Sequence, residues 1–357
     1  MWRMRPAPSV RLTCVSNHAV ATYSGMLPGV LAGQYPPARM EIDLVRLCAA
    51  AGARLVVADT CGLDVAGQKL LFAGRPPLPF DVLSIGIGSV PAYHGVEIVD
   101  GTRLLPVKPM QTFLDRLDER LRQASDERHG APIRVAIVGG GAGGIELALC
   151  LPSRLRTLLG DDARIEETIV SADERLVPDS LEGTARRIQR VLERRGVGLA
   201  AGRRVVRVEG GRLALDDGAI VGADLILWAT GAGAPPPLAT SGLPTDARGF
   251  LLTTDTLQVT SGAPVFAVGD TGTIAASPTP KAGVYAVRQG PVLWGNIQRM
   301  LAGQPLRRYT PQRGFLKLLN TGDGRAIGEW KGVSFDGQWC WRLKDYIDRR
   351  FMDNYQN

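Results

Sequence analysis

Apolar positions along the chain follow two periods. Short unbroken runs such as "IRVAIV" (Ile133–Val138), "ADLILWAT" (Ala223–Thr230) and "PVFAVGD" (Pro264–Asp270) read as strands buried on both faces of a parallel sheet. Between them lie segments with helical spacing. In "LEGTARRIQRVLERRGV", Leu181, Ala185, Ile188 and Leu192 form one apolar stripe, with Arg and Glu on the other face. Strands alternating with helices predict an α/β fold. "RRVVRVEGGRLALDDGAIV" departs from that rhythm. It predicts short antiparallel strands turning at Gly210-Gly211 and Asp217-Gly218.

The junction after Ile133–Val138 carries chemistry. Gly139, Gly141 and Gly144 stand in G-x-G-x-x-G register, and the helical run "IELALCL" follows. The first glycine permits a tight turn, the second admits a pyrophosphate to the backbone, and the third lets helix and strand pack closely. The helix N-terminus offers N–H groups and a positive dipole end to the phosphates. Pro152 predicts a kink or break soon afterwards. A second strand (to Ser171), a helix, the meander and the strand "ADLILWATGAG" complete a dinucleotide-binding domain.

Much of that unit occurs twice. "FDVLSIGIGSVP" parallels "ADLILWATGAGAPP", and "VRLTCVS", ending at Ser16, parallels "ARIEETIVS", ending at Ser171. Another meander, "LDVAGQKLLFAGRPPLP", precedes "FDVLSIG". The glycine loop begins 32 positions before Ser171, and the same spacing before Ser16 falls upstream of Met1. The first unit is therefore expected to lack its opening strand, glycine loop and helix, and "MWRMRPAPSV" reads as the tail of that helix and the turn after it.

Composition narrows the chemistry. The chain has 357 residues, is 45% hydrophobic, and has no apolar window of spanning length and no signal-peptide core, so two or three domains in a cytoplasmic or peripheral protein are expected. Net charge is +7, with Arg far outnumbering Lys, but the Arg are dispersed among acids and no nucleic-acid-binding signature accompanies them. Cys14, Cys48, Cys61, Cys150 and Cys340 include no CxxC, which excludes a local redox dithiol and a zinc spacing. His18, His94 and His129 pair with no nucleophile, so neither a hydrolytic triad nor a metal centre is expected.

The sequence resembles the two-domain flavoproteins of the pyridine nucleotide-disulfide oxidoreductase fold. Within them it looks like the type II NADH dehydrogenases, and closer still like the oxidoreductase module fused to selenide, water dikinase. "YSGMLPGVLAGQY", "GRPPLPFDVLSIGIGS", "VGGGAGGIELAL", "ILWATGAG", "VFAVGD" and "PKAGVYAVRQGP" carry the resemblance. It implies two Rossmann-like domains, one inserted in the other: a truncated FAD domain over 1–105, a linker over 106–130, an inserted NAD(P)H domain over 131–240, FAD-domain residues over 241–305, and a C-terminal segment over 306–357.

Residue by residue, the resemblance implies Gly139, Gly141, Gly144, Glu146, Ser171, Arg175, Thr230 and Gly231 around NAD(P)H. Tyr23, Ser24, Gly25, Gly269, Asp270, Lys281 and Ala282 would lie around FAD. Glu146 and Lys281 are the candidates for tuning the cofactors, which bear the catalysis themselves. Ser171 stands where a ribose carboxylate is usual, and with Arg175 nearby the choice between NADH and NADPH stays open. Hydride is expected to pass from NAD(P)H to flavin and on to a quinone-like acceptor. "GQWCWRLKDYIDRRFMDNY" is read either as a surface docking on the inner membrane face, or as packing on the protein itself or a homodimer partner. Two alternatives are kept: a non-enzymatic NAD(P)-binding relative that has lost FAD, and an oxidoreductase of selenium or sulfur metabolism.

Overall fold

The structure, a computed structural model, describes residues 10–356. The reading of "MWRMRPAPSV" falls largely outside them. The chain forms two compact units: a first from residues 10–20, 43–92 and 232–313, and a second from 21–42, 93–231 and 314–356. Residues 21–42 therefore go with the glycine-loop unit, and so does the segment after residue 314. The sequence division had put the former in the FAD domain and kept the latter apart.

The second unit is built on a five-stranded parallel sheet. Its order is Leu104–Pro106, Leu225–Trp228, Ile133–Val138, Ile165–Val170, Gly198–Ala200. Ile133–Val138 lies at the centre, with Val135 opposite Glu167 on one side and Leu225 on the other. Its side chains alternate between two cores. Ile133, Val135 and Ile137 bury against Leu117 and Leu121 of the Phe113–Arg128 helix, Ile145 and Leu149 of the Ala142–Leu159 helix, and Ile188 and Leu192 of the Glu182–Arg194 helix. Ala136 and Val138 bury on the other face beneath Val205, Val208, Leu213 and Leu215 of the meander. Each fully buried Leu or Ile contributes roughly 1.5–3 kcal/mol, so both faces of this strand hold the unit together. The meander turns at Gly210-Gly211, both at positive φ as a two-residue hairpin requires.

The Ala142–Leu159 helix runs through Pro152 without a break. Proline removes one backbone hydrogen bond, but Leu147, Leu149, Leu151 and Leu155, all buried, hold both halves against the core. The unit is completed by three antiparallel strands, Lys317–Asn320, Ala326–Trp330 and Val333–Gly337, and the Gln338–Gln356 helix.

The first unit holds three parallel strand pairs among the described residues: Thr13–Ser16 with Arg54–Val57, Leu83–Ile85 with Val265–Ala267, and Leu251–Thr253 with Gly272–Ile274. Its own meander spans Thr60–Asp64, Lys69–Phe72 and Arg75–Pro79. The Leu44–Ala50 helix is capped by Asp43, whose carboxylate accepts from Arg46 N, and the Gly283–Leu301 helix is the longest of this unit.

Candidate functional site

The carboxyl ends of three adjacent strands in the second unit meet at the glycine loop. Gly139 has φ +127°, and a Cβ there would lie 2.4 Å from the Ala229 carbonyl oxygen. A Cβ on Gly144 would lie 2.0 Å from the carbonyl oxygen of Gly139. These two glycines are fixed by close approach. Gly141, Gly143 and Gly231 are the opposite case, since a Cβ on any of them meets nothing within 4 Å. The loop is therefore locked underneath and open above. At the start of Ala142–Leu159, Ile145 N donates to Gly141 O at 3.1 Å, while the N–H groups before it have no intrahelical carbonyl to bond, and the helix dipole lies behind them. Such an opening fits a pyrophosphate.

Ser171 follows the adjacent strand and is 2% exposed; its Oγ accepts from Asp173 N at 3.2 Å. The same Oγ would meet a Cβ on Gly140 at 2.4 Å, so Ser171 closes one wall of the loop. Thr230 and Gly231 follow the strand on the other side, next to Gly139. The structure thus brings Gly139, Gly141, Gly144, Ser171, Thr230 and Gly231 to one corner. Arg175 is directed elsewhere, its guanidinium donating to the carbonyls of Pro178 and Ser180.

Glu146 lies only half a turn beyond Gly144 but faces inward. It is half-buried and accepts from Asn320 N at 2.8 Å. Burial pushes its carboxyl up to about 7; the Lys344 ammonium and the Asn320 N–H pull the other way, and Asp348 adds to the rise. Lys344 donates to Asp348 and to the Gly25 carbonyl, both at 2.9 Å, and Tyr23 donates to the second Asp348 oxygen at 3.0 Å. Asn320 in turn donates to Gln34 at 2.6 Å, and Trp341 Nε1 donates to the same Gln34 oxygen at 3.1 Å. Tyr23 and Gly25 therefore join Glu146 in the second unit, with Ser24 between them in the 310 turn Ser24–Met26. Sequence reasoning missed Lys344, Asp348, Asn320 and Gln34. The only local signal was the i,i+4 Lys–Asp spacing in the C-terminal helix.

The remaining residues assigned to FAD, Gly269, Asp270, Lys281 and Ala282, belong to the first unit. Gly269 has φ +61°, donates its N–H to Gln289 at 2.6 Å, and would drive a Cβ to 2.9 Å from Ala286. Asp270 accepts from Ser89 Oγ at 2.7 Å. Lys281 donates to Gly272 O at 2.7 Å and Thr273 Oγ1 at 2.9 Å, and lies 4.0 Å over the Phe250 ring. Burial brings its ammonium down to about 8, against the pull of Asp246 and Asp270. Ala282 leads into the Gly283–Leu301 helix, and space is open beside Gly283. A strand-end carboxylate, a neutralisable amine and an open helix N-terminus fit the ring and ribityl end of FAD. Among the described residues of this unit, no second glycine loop joins a strand to a helix.

The sequence profile of the pyridine nucleotide-disulphide oxidoreductases matches residues 41–290, well over half the chain. The chain belongs to this family. As a member it is an oxidoreductase dependent on FAD and NAD(P)H, with two Rossmann-like folds. The demethylphylloquinone reductase of Synechocystis is 29% identical over 310 residues, covering 82% of this chain and 72% of that protein. The type II NADH:quinone oxidoreductase of Haemophilus influenzae is 28% identical over 270 residues, covering 68% of this chain and 60% of that one. Among solved structures, the sulfide:quinone oxidoreductase of Aquifex aeolicus shares the fold with a TM-score of 0.81 at 16% identity, over 100% of this chain and 88% of its own.

Proposed function

We propose that the chain oxidises NAD(P)H and passes the electrons to a quinone. The Gly139–Gly144 loop would hold the pyrophosphate, with Ser171 and Thr230-Gly231 on either side. Asp270, Lys281 and Ala282 would meet the flavin end of FAD, which when bound supplies the hydride-accepting and electron-donating chemistry. The observation that carries the reading is Glu146. Reducing a quinone to a quinol consumes two protons, and a desolvated carboxyl raised to about 7 is half-protonated near neutral pH. Lys344, which Glu146 and Asp348 hold in its charged form, keeps the proton-depleted state from being costly. Tyr23 extends the line by a hydroxyl.

The reading includes a preference for NADH. Arg175 spends its guanidinium on two carbonyls, and Arg203 pairs with Asp217 at 3.0 Å, leaving the acids Asp173 and Glu174 beside Ser171. A 2′-phosphate would meet more negative than positive charge. The C-terminal helix exposes Trp339 (54%) and Tyr346 (58%), with Ile347 beside them, which supports an apolar-basic face for a membrane surface or a second copy. No helix among the described residues is long and apolar enough to cross a membrane.

The test is NADH and NADPH oxidation by the FAD-loaded chain, with a soluble naphthoquinone in one arm and selenium or sulfur acceptors in the other. The expected result is quinone turnover with at least tenfold higher kcat/KM for NADH. Glu146→Gln keeps the Asn320 hydrogen bond but cannot titrate. It should lower quinone turnover about tenfold and remove a pH dependence centred near 7. Turnover with selenium or sulfur acceptors alone would overturn the quinone assignment.

A further inference from the structure

Within the second unit, the Glu182–Arg194 helix packs against the hairpin of Ala326–Trp330 and Val333–Gly337. Hydrogen bonds seam the two together. Leu181 N, just before the helix, donates to Glu329 Oε2 at 2.8 Å, and Thr184 donates its hydroxyl to Ser334 Oγ at 2.9 Å. The approach is close: a Cβ on Gly183 would lie 3.3 Å from Ser334 Cβ. Helix and hairpin together line a cavity of about 460 Å³. The helix contributes Arg186, Arg187 and Arg190, and the hairpin contributes Gly332, Val333 and Ser334.

The charges around this cavity do not cancel. Arg187 pairs with Asp336, but Arg325 holds the same carboxylate at 3.1 Å. Glu329 is paired with Lys317 at 2.8 Å. Arg186 has the exposed Glu182, one turn back on its own helix, at 3.2 Å. Arg190 donates through Nε to the Arg186 carbonyl and has no carboxylate partner among the described residues. Arg186 and Arg190 also stand four residues apart, where like charges on a helix repel. An anion in the cavity would relieve that repulsion.

We propose that this cavity is a binding site for a phosphate monoester, held by Arg186, Arg187, Arg190 and the Ser334 hydroxyl. A monoester carries nearly two negative charges and three terminal oxygens, so three guanidiniums can each bond one; a carboxylate offers only two. Ser334 Oγ accepts from Thr184 and keeps its own hydrogen to donate. Val333, 61% exposed, and Trp330, its partner across the end of the hairpin, give the ester's organic part an apolar rim. None of these residues belongs to the glycine-loop corner, and the site does not depend on the electron acceptor proposed above. A soluble organic phosphate and the headgroup of phosphatidic acid present the same chemistry.

The experiment titrates the purified full-length chain with glycerol 3-phosphate by calorimetry, with NAD+ at saturation to keep phosphate out of the glycine loop. The expected result is saturable binding that Arg190→Gln and Arg186→Gln each weaken about tenfold, since each removes one charge-assisted contact. Arg122→Gln removes an exposed charge from another helix of the same unit and should leave binding unchanged. Melting temperature and NADH oxidation should hold in all three variants. A second arm sediments the chain with phosphatidylcholine vesicles carrying phosphatidic acid at about one lipid in five. Sedimentation lost in Arg190→Gln assigns the phosphate to a lipid headgroup. Binding of glycerol 3-phosphate without such sedimentation assigns it to a soluble ester. The proposal is overturned if neither arm shows binding that depends on Arg190, or if Arg122→Gln weakens binding as much as Arg190→Gln.

Discussion

The two units contain matching strand pairs, but only the second joins them into one sheet among the described residues. In the second unit the sequence runs Leu104–Pro106, Leu225–Trp228, Ile133–Val138, Ile165–Val170, Gly198–Ala200. In the first, Val265–Ala267 and Leu83–Ile85 match the first pair, and Thr13–Ser16 and Arg54–Val57 match the last. Among the described residues nothing corresponds to Ile133–Val138. That strand carries both the sheet's central hydrogen bonds and the glycine loop, so sheet closure and phosphate binding are one module. A unit with it has a continuous core and a cradle. The described residues of the first unit offer a strand-end carboxylate and a helix start.

The largest break in this comparison comes from the cradle. Gly144→Val puts side-chain carbon into the Gly139 carbonyl and should cost at least a hundredfold in NADH affinity by calorimetry, with helix content retained. Next comes Glu167, on the strand beside the cradle strand. Burial raises its carboxyl to about 8, against the pull of Arg195, and one carboxylate oxygen has no partner. The folded value lies above the unfolded one. Its contribution to stability is therefore fully present below the ordinary carboxylate range and is lost as pH rises through about 8. Glu167→Gln should stabilise the chain by roughly 2 kcal/mol at pH 9 and have little effect at pH 5 in urea titrations. The smallest effect is in the first unit. Asp270→Ala removes the acceptor of Ser89 and should weaken FAD about tenfold while leaving NADH affinity unchanged.

What could be read from the sequence was local. The glycine register, the Gly210-Gly211 turn and the apolar stripe of Glu182–Arg194 are encoded within a few residues of one another, and the structure carries all three. The repeat matched strand pairs in the two units because matching strands keep matching neighbours. What escaped depends on contacts between distant residues. Glu146 meets Asn320, Lys344 and Asp348 only after the C-terminal strands and helix fold back on the glycine-loop helix, and Tyr23 reaches Asp348 the same way. Pro152 misled because its effect on an isolated helix is local, while the leucines that override it are held by the core.

The central claim is that this chain joins a pyridine nucleotide to a flavin. It is tested most directly by adding NADH, without oxygen, to the chain purified with FAD and following the flavin's visible absorbance. The account predicts rapid bleaching by NADH, slower bleaching by NADPH, and none in Gly144→Val. A flavin that stays oxidised under NADH and NADPH alike, or one bleached equally in Gly144→Val, would contradict it.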